Sequence, residues 1–307
     1  MLDRDIDTTV PLRRPPTASE VTAPFLVDFE IVRLLGGGGM GVVFEARHQV
    51  HGHRVALKFH RQGAMPVDHA RARLLHEARV MARLRHPTVV TLLDVGNAAD
   101  EIFIVMELVE GGTLRDWMRE PHDWRDVVDM FIAFGGGLAK AHALGVVHRD
   151  VNPSNVFIDR DGTPKLGDFG LAVSGDNDNH VDDDRAVAAP GSRLTAPGGV
   201  LGTPGYMAPE LRCGGRADAR SDQYAFCASL HEAVTGEQPE LGVLSLAVPR
   251  PLRTTLSRGL ATEPQARFPS MTALFTALSR ARRGRSRSIV HAVSDAATTL
   301  TYGAPMK

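Results

Sequence analysis

HRDVNPSNVFIDRDGTPKLGDFG, residues 148–170, sets two carboxylates and an amide at a spacing that suits metal-assisted chemistry. Asp150 and Asn155 lie five residues apart in a loop broken by Pro153. Asp168 follows an apolar run, Val156-Phe157-Ile158, and a second short run, Lys165-Leu166, with Asp161-Gly162 between them. Apolar runs flanking an Asp-Gly turn predict a hairpin. Such a hairpin carries Asn155 and Asp168 to one end, where their oxygens can share a hard cation such as Mg²⁺. Asp150 sits beside them, placed to accept a proton from a nucleophile. One carboxylate as base and an amide–carboxylate pair on a metal is a layout for phosphoryl transfer.

Working back toward the N-terminus, residues 29–48 read as strand, glycines, strand: FEIVRLL, GGGGMG, VVFEARH. Gly36, Gly38 and Gly41 match G-x-G-x-x-G, a weak signal within four consecutive glycines. A dinucleotide-binding loop must run into a helix. Here the glycines run into Val42-Val43-Phe44, which predicts a second strand and a glycine-rich hairpin able to fold over phosphates, or else a plain surface hairpin. The next strand, Arg54 to Phe59, holds Lys58 inside an apolar run, and a buried ammonium needs a partner. A helix predicted over Asp68 to Leu84 offers Glu77, whose bland reading is a solvated helix charge. His48, His51, His53 and His60 lack the spacing and companions of a metal site and read as surface histidines. Two further strands are expected, Val89 to Val95 and Ile102 to Val109, before Gly111-Gly112 and a change to helical patterning from Thr113. Strand-rich sequence followed by helix-rich sequence predicts an α+β architecture of two lobes, with a small-molecule cleft between them.

The bulk numbers fit that plan. The chain has 307 residues and a net charge of −1, so no general attraction to nucleic acid or membrane is implied. Two cysteines, Cys213 and Cys227, make no disulfide framework, and no run of about 18 apolar residues marks a transmembrane segment. A reducing, cytoplasmic setting is the expectation. Lysine is scarce in this arginine-rich chain, occurring only at Lys58, Lys140, Lys165 and Lys307.

Downstream, a helix is expected over Trp124 to Leu144, and an irregular segment with an acidic run at Asp182-Asp183-Asp184 follows Gly170. A buried helix is expected over Ser221 to Gly236. Asp222 within it is either a helix N-terminal charge or an acceptor for the 148–150 loop. The ends read as a disordered leader over residues 1–26 and a basic, polar tail over 284–307.

Taken together these motifs resemble the eukaryotic-type protein kinases, most of all the bacterial serine/threonine kinases. The matching elements are Leu35-Gly36-Gly37-Gly38-Gly39-Met40-Gly41-Val42-Val43, Lys58 with Glu77, His148-Arg149-Asp150 through Asn155, Asp168-Phe169-Gly170, Ala208-Pro209-Glu210 and Arg267. The resemblance implies a kinase domain over residues 27–283, with an N-lobe at 27–108 and a C-lobe at 109–283. It implies ATP and Mg²⁺ (or Mn²⁺) as cofactors, with protein substrates and self-association for autophosphorylation. Adenine would lie among Val43, Ala56 and Phe157, with Met106 as gatekeeper and hydrogen bonds to the backbone of Glu107 and Leu108. Asn155 and Asp168 would hold the metal, and Asp150 would receive the substrate proton. Glu210 and Arg267 would pair, and Met81, His148, Phe169 and Asp222 would form an internal spine. Arg149 would meet a phosphate on Ser174, Ser192, Thr195 or Thr203, although the hydroxyl of Thr203 has a second use in bonding Asp150. Asn152 departs from the pattern, standing where the family usually carries a lysine. That departure opens an alternative, a nucleotide-binding scaffold with little turnover. A small-molecule phosphotransferase is disfavoured by the Glu210–Arg267 platform.

Overall fold

The computed structural model describes residues 28–38, 41–60, 78, 81–98, 101–169, 203–240 and 244–284. Gly39, Met40, Glu77, Gly170, Ser174, Ser192, Thr195, the acidic run at 182–184, the leader and the tail beyond Gly284 lie outside the described residues.

Five strands build one antiparallel sheet: β1 (Phe29–Gly38), β2 (Gly41–His48), β3 (Arg54–His60), β4 (Leu92–Ala98) and β5 (Glu101–Glu107), in the order β1-β2-β3-β5-β4. The glycines continue the strands as a hairpin, with Gly36 opposite Val43 and Gly38 opposite Gly41. Gly41 has φ +143°, a backbone conformation that side-chain-bearing residues avoid. Strand alternation then splits the sheet into two faces. Val42, Phe44, Val55, Leu57, Phe59, Phe103 and Val105 form its apolar core. Val43 is opposite Lys58 and Ala56 is opposite Met106, so these four share the other face.

The sheet hands over to helices through residues 108–112. Gly111 is required there, because a Cβ would come within 1.7 Å of the Ile158 carbonyl oxygen. Among the described residues the helices with full bounds are α1 (Leu114–Trp117), α2 (Trp124–Ala143), α3 (Pro209–Arg212), α4 (Ala219–Thr235), α5 (Arg250–Gly259) and α6 (Met271–Arg283), and most of the helix expected over Asp68 to Leu84 lies outside those residues. Side-chain caps start several of them: Asp123 accepts from Arg125 N–H, Asp218 from Arg220 and Ser221, and Ser270 from Ala273. Gly236 ends α4 in the left-handed region, at φ +79°. Phe131 and Phe134 of α2 meet Phe226 of α4, with ring centroids 5.0–5.3 Å apart, at the centre of the helical core.

Several boundaries differ from expectation, and β4 also runs on to Ala98 rather than ending at Val95. β4 begins at Leu92, because Val89 instead bridges Leu166 in parallel outside the sheet. β5 stops at Glu107 rather than Val109. α4 starts two residues early, since Asp218 and Ser221 form a capping box that a hydrophobic pattern does not register.

Candidate active site

The loop and hairpin form as their residues dictate. Strands β6 (Val156–Ile158) and β7 (Pro164–Leu166) pair antiparallel, Gly162 turns between them at φ +84°, and Gly167 N–H donates to Asn155 O at 2.8 Å. That last bond seats Asn155 and Asp168 at the same end of the hairpin.

Asp150 stands in a frame of neutral donors. Its Oδ2 accepts from Asn155 Nδ2 at 2.9 Å, and its Oδ1 accepts from Thr203 N at 3.1 Å and Thr203 Oγ1 at 3.3 Å. Its backbone oxygen accepts from Asn155 Nδ2 at 2.8 Å and Asn152 Nδ2 at 3.2 Å. Asn155 therefore spends its amide donors on Asp150, leaving a carbonyl oxygen as its remaining ligand-type atom. Across the cleft, buried Lys58 donates from Nζ to Asp168 Oδ1 at 2.9 Å. Asp168 and Arg149 are the non-glycine residues with positive φ among those described, at +51° and +73°. Backbone strain of about 1–3 kcal/mol per residue persists only where surrounding bonds over-determine it, and it concentrates at functional sites.

Asp222 supplies that restraint for the loop. Its Oδ1 accepts from Arg149 N at 2.8 Å, and its Oδ2 from His148 N at 2.7 Å and His142 Nε2 at 2.8 Å. Of the two readings of Asp222, the acceptor role is the one built. His148 is buried, and burial pushes its imidazole below the ordinary histidine range, so the ring is neutral. Nε2 carries the proton, donating to Gly167 O at 2.8 Å, while Nδ1 faces Asp150 N–H at 3.3 Å. The ring lies 4.5 Å from that of Phe169, and Met81 joins Phe169 in the same core cluster.

Farther out, Glu210 and Arg267 form a bidentate pair with both N···O distances at 2.7 Å. Arg267 is 1% exposed, and its remaining donors reach Ala261 O, Arg220 O and Thr262 O. Val43, Ala56, Met106 and Lys58 share the cleft-side face of the sheet, and Phe157 lies on β6 opposite Lys165. Leu35, Gly36 and Gly37 are exposed on the glycine hairpin. Val42 turns instead into the sheet's own core, so its side chain is apart from that face.

Three contacts carried little or no signal in the sequence. Lys165 pairs with the Glu107 side chain, which also accepts Thr91 N–H at 2.7 Å; the scarcity of lysine was the available signal. His142 on Asp222 and the Arg115–Glu232–Tyr206 network had none, being set by helix packing. In the β2–β3 turn His51 stacks on His53 and lies at a tilt to His48, and no metal-ligand cluster occurs among the described residues. Cys213 is exposed just past α3; Cys227 is buried in α4, and burial pushes its thiol up to about 12.

A five-stranded sheet hinged to a helical lobe, with a loop of carboxylates and amides at the junction, defines the bilobal kinase-like class. Comparison with known proteins makes this specific. The protein kinase domain model matches residues 29–243, and the chain belongs to that family. Serine/threonine-protein kinase PknL of Mycobacterium tuberculosis is 36% identical over 238 residues, covering 77% of this chain and 55% of that protein. DNA damage-responsive serine/threonine-protein kinase RqkA of Deinococcus radiodurans is 37% identical over 220 residues, covering 70% of this chain and 30% of that protein. The crystal structure of the M. tuberculosis PknI kinase domain superposes with a TM-score of 0.63 at 30% identity, covering 84% of this chain and 96% of that one. The chain thus spans about half or less of the length of these curated relatives. No described helix is long and apolar enough to cross a membrane.

Proposed function

We propose that this chain is an ATP-dependent protein serine/threonine kinase domain occupying residues 27–283, with lobes at 27–108 and 109–283. The observation that carries the reading is the convergence of Asp150, Asn155, Asp168 and Lys58 at the junction of the lobes. The donor set fits ATP with Mg²⁺. A carboxylate and an amide oxygen are hard ligands, and Mg²⁺ is ordinarily held by one or two carboxylates plus substrate phosphates rather than by a protein cage. When bound, the ion neutralises charge on the phosphate oxygens.

The chain's own residues do the rest. Lys58 exchanges Asp168 for the α- and β-phosphates, and the glycine hairpin lets backbone N–H groups approach them closely. Val43, Ala56, Met106 and Phe157 enclose the adenine, and the backbone at Glu107 and Leu108 orients it. Asp150 orients the hydroxyl of a protein serine or threonine and takes its proton as the new phosphorus–oxygen bond forms and the bond to the ADP oxygen breaks. Arg149 receives a phosphate on the 170–202 segment, at Ser174, Ser192 or Thr195, which a second copy of the chain transfers there from ATP with release of ADP.

The test is transfer from labelled ATP with Mg²⁺ to the chain itself and to casein, with wild type beside Asp150→Ala and Lys58→Met. Label on wild type alone is the expected result, with a loss of at least about 10²-fold in each variant. Nucleotide binding without transfer by wild type would overturn the activity and leave a nucleotide-binding scaffold.

A further inference from the structure

Asn152 is 3% exposed and uses all of its amide. Nδ2 donates to Asp150 O at 3.2 Å and to Thr203 Oγ1 at 3.3 Å, and Oδ1 accepts from Ser154 N at 2.9 Å. The Thr203 hydroxyl passes the interaction on to Asp150 Oδ1 at 3.3 Å. A chain of donors thus runs from Asn152 through Thr203 to the carboxylate, and each member strengthens the next. Thr203 is also where the 3-10 turn Pro204–Tyr206 begins, and that turn leads through Ala208 into α3 and the Glu210–Arg267 pair.

We propose that Asn152 is a positioning residue, a neutral latch that fastens the segment starting at Thr203 to the Asp150 loop. The chain would close its substrate platform with an amide at the place where its family usually has a cation. This rests on the kinase reading for its consequence in catalysis but not for the latch itself. Three bonds argue that the site is built around an amide. A lysine would offer donors but no acceptor for Ser154 N–H, and an aspartate would cap Ser154 but offer no donors. The latch also gives the Thr203 hydroxyl a structural occupation, which separates it from Ser174, Ser192 and Thr195 as candidate phosphate carriers.

The experiment compares wild type with Asn152→Ala, Asn152→Asp and Asn152→Lys. Hydrogen–deuterium exchange is read over residues 203–212, alongside transfer from ATP to casein. Asn152→Asp preserves volume and the Ser154 cap, so it separates the latch from simple misfolding. The latch predicts exchange over 203–208 about tenfold faster in the Ala and Asp variants, the loss of roughly one hydrogen bond's worth of protection. It predicts that Asn152→Lys, which keeps donors, recovers at least half of that protection. In turnover, the Ala and Asp variants lose about tenfold in kcat while KM for ATP stays within about twofold. Wild-type exchange in both Ala and Asp variants, or a Lys variant no better than Ala, overturns the latch. If exchange responds while wild type transfers no phosphate, the latch stands and the kinase reading fails. If wild type transfers phosphate and exchange is unmoved, the reverse holds.

Discussion

Asp222 gives both of its carboxylate oxygens to the loop that carries Asp150. Asp222→Ala strips acceptors from two buried backbone N–H groups and from His142, at about 1–3 kcal/mol per unsatisfied group. It also releases the restraint on Arg149, whose φ of +73° is unfavourable by itself. The expected result is a loss of about 3–5 kcal/mol in urea denaturation, with Asp222→Asn losing less because one carbonyl oxygen remains. An alanine variant within about 0.5 kcal/mol of wild type would mean that the loop holds itself. At this scale what was legible in the sequence was which polar residues would come together. Asp150, Asn155, Asp168 and Lys58 could be picked from spacing and context alone. Val42 could not be separated from Val43 until strand register assigned them to opposite faces, because a run of β-branched residues has no alternation to read.

Among the elements, α3 has four residues and depends on what anchors it. Arg267 reaches it from outside with five donors satisfied, and Arg220, also bonded to Pro264 O, supplies one of the acceptors. Removing one partner of a buried pair leaves an uncompensated charge, which costs about 3–5 kcal/mol. The 20% exposure of the Glu210 side chain puts this pair at the lower end of that range. Glu210→Ala is therefore expected to destabilise the chain by about 3 kcal/mol and to raise amide exchange in 203–214 before other segments open. Unchanged protection there would show that Arg267 anchors the 258–268 loop rather than α3. Element existence was readable from periodicity and turn chemistry: the Asp-Gly hairpin, the glycine hairpin and the apolar helix behind Asp222 all form. Boundaries were less so. Val89 carries a strand-like side chain, but a tertiary bridge to Leu166 takes it away from the sheet.

At the scale of the whole molecule, buried His148 ties folding to pH. Its folded-state pKa lies below the unfolded value of about 6.5, so protons bind the unfolded chain first as pH falls. The stability that the neutral ring contributes is complete above about pH 6.5, and it drains away as pH drops from there through the folded-state pKa. Thermal melts between pH 8 and 5 should show stability falling on the acid side, with a shallower fall in His148→Gln. Equal slopes in the two proteins would assign the acid sensitivity to other groups. The two-lobed plan itself was legible from the change of periodicity near Gly111-Gly112. The Lys165–Glu107–Thr91 contact was not: the scarcity of lysine could mark Lys165, but its partners lie on β5 and in the chain before β4, across separations that no local pattern encodes.

The two thiols offer a use of their own. Cys227 is shut away from reagents and holds its proton to about pH 12, whereas Cys213 is exposed only three residues past Glu210. A maleimide dye added to the unaltered chain would go to one address. That address adjoins the segment that Thr203 ties to Asp150, so loss or recovery of that contact could be followed by light, in real time, without engineering a label site.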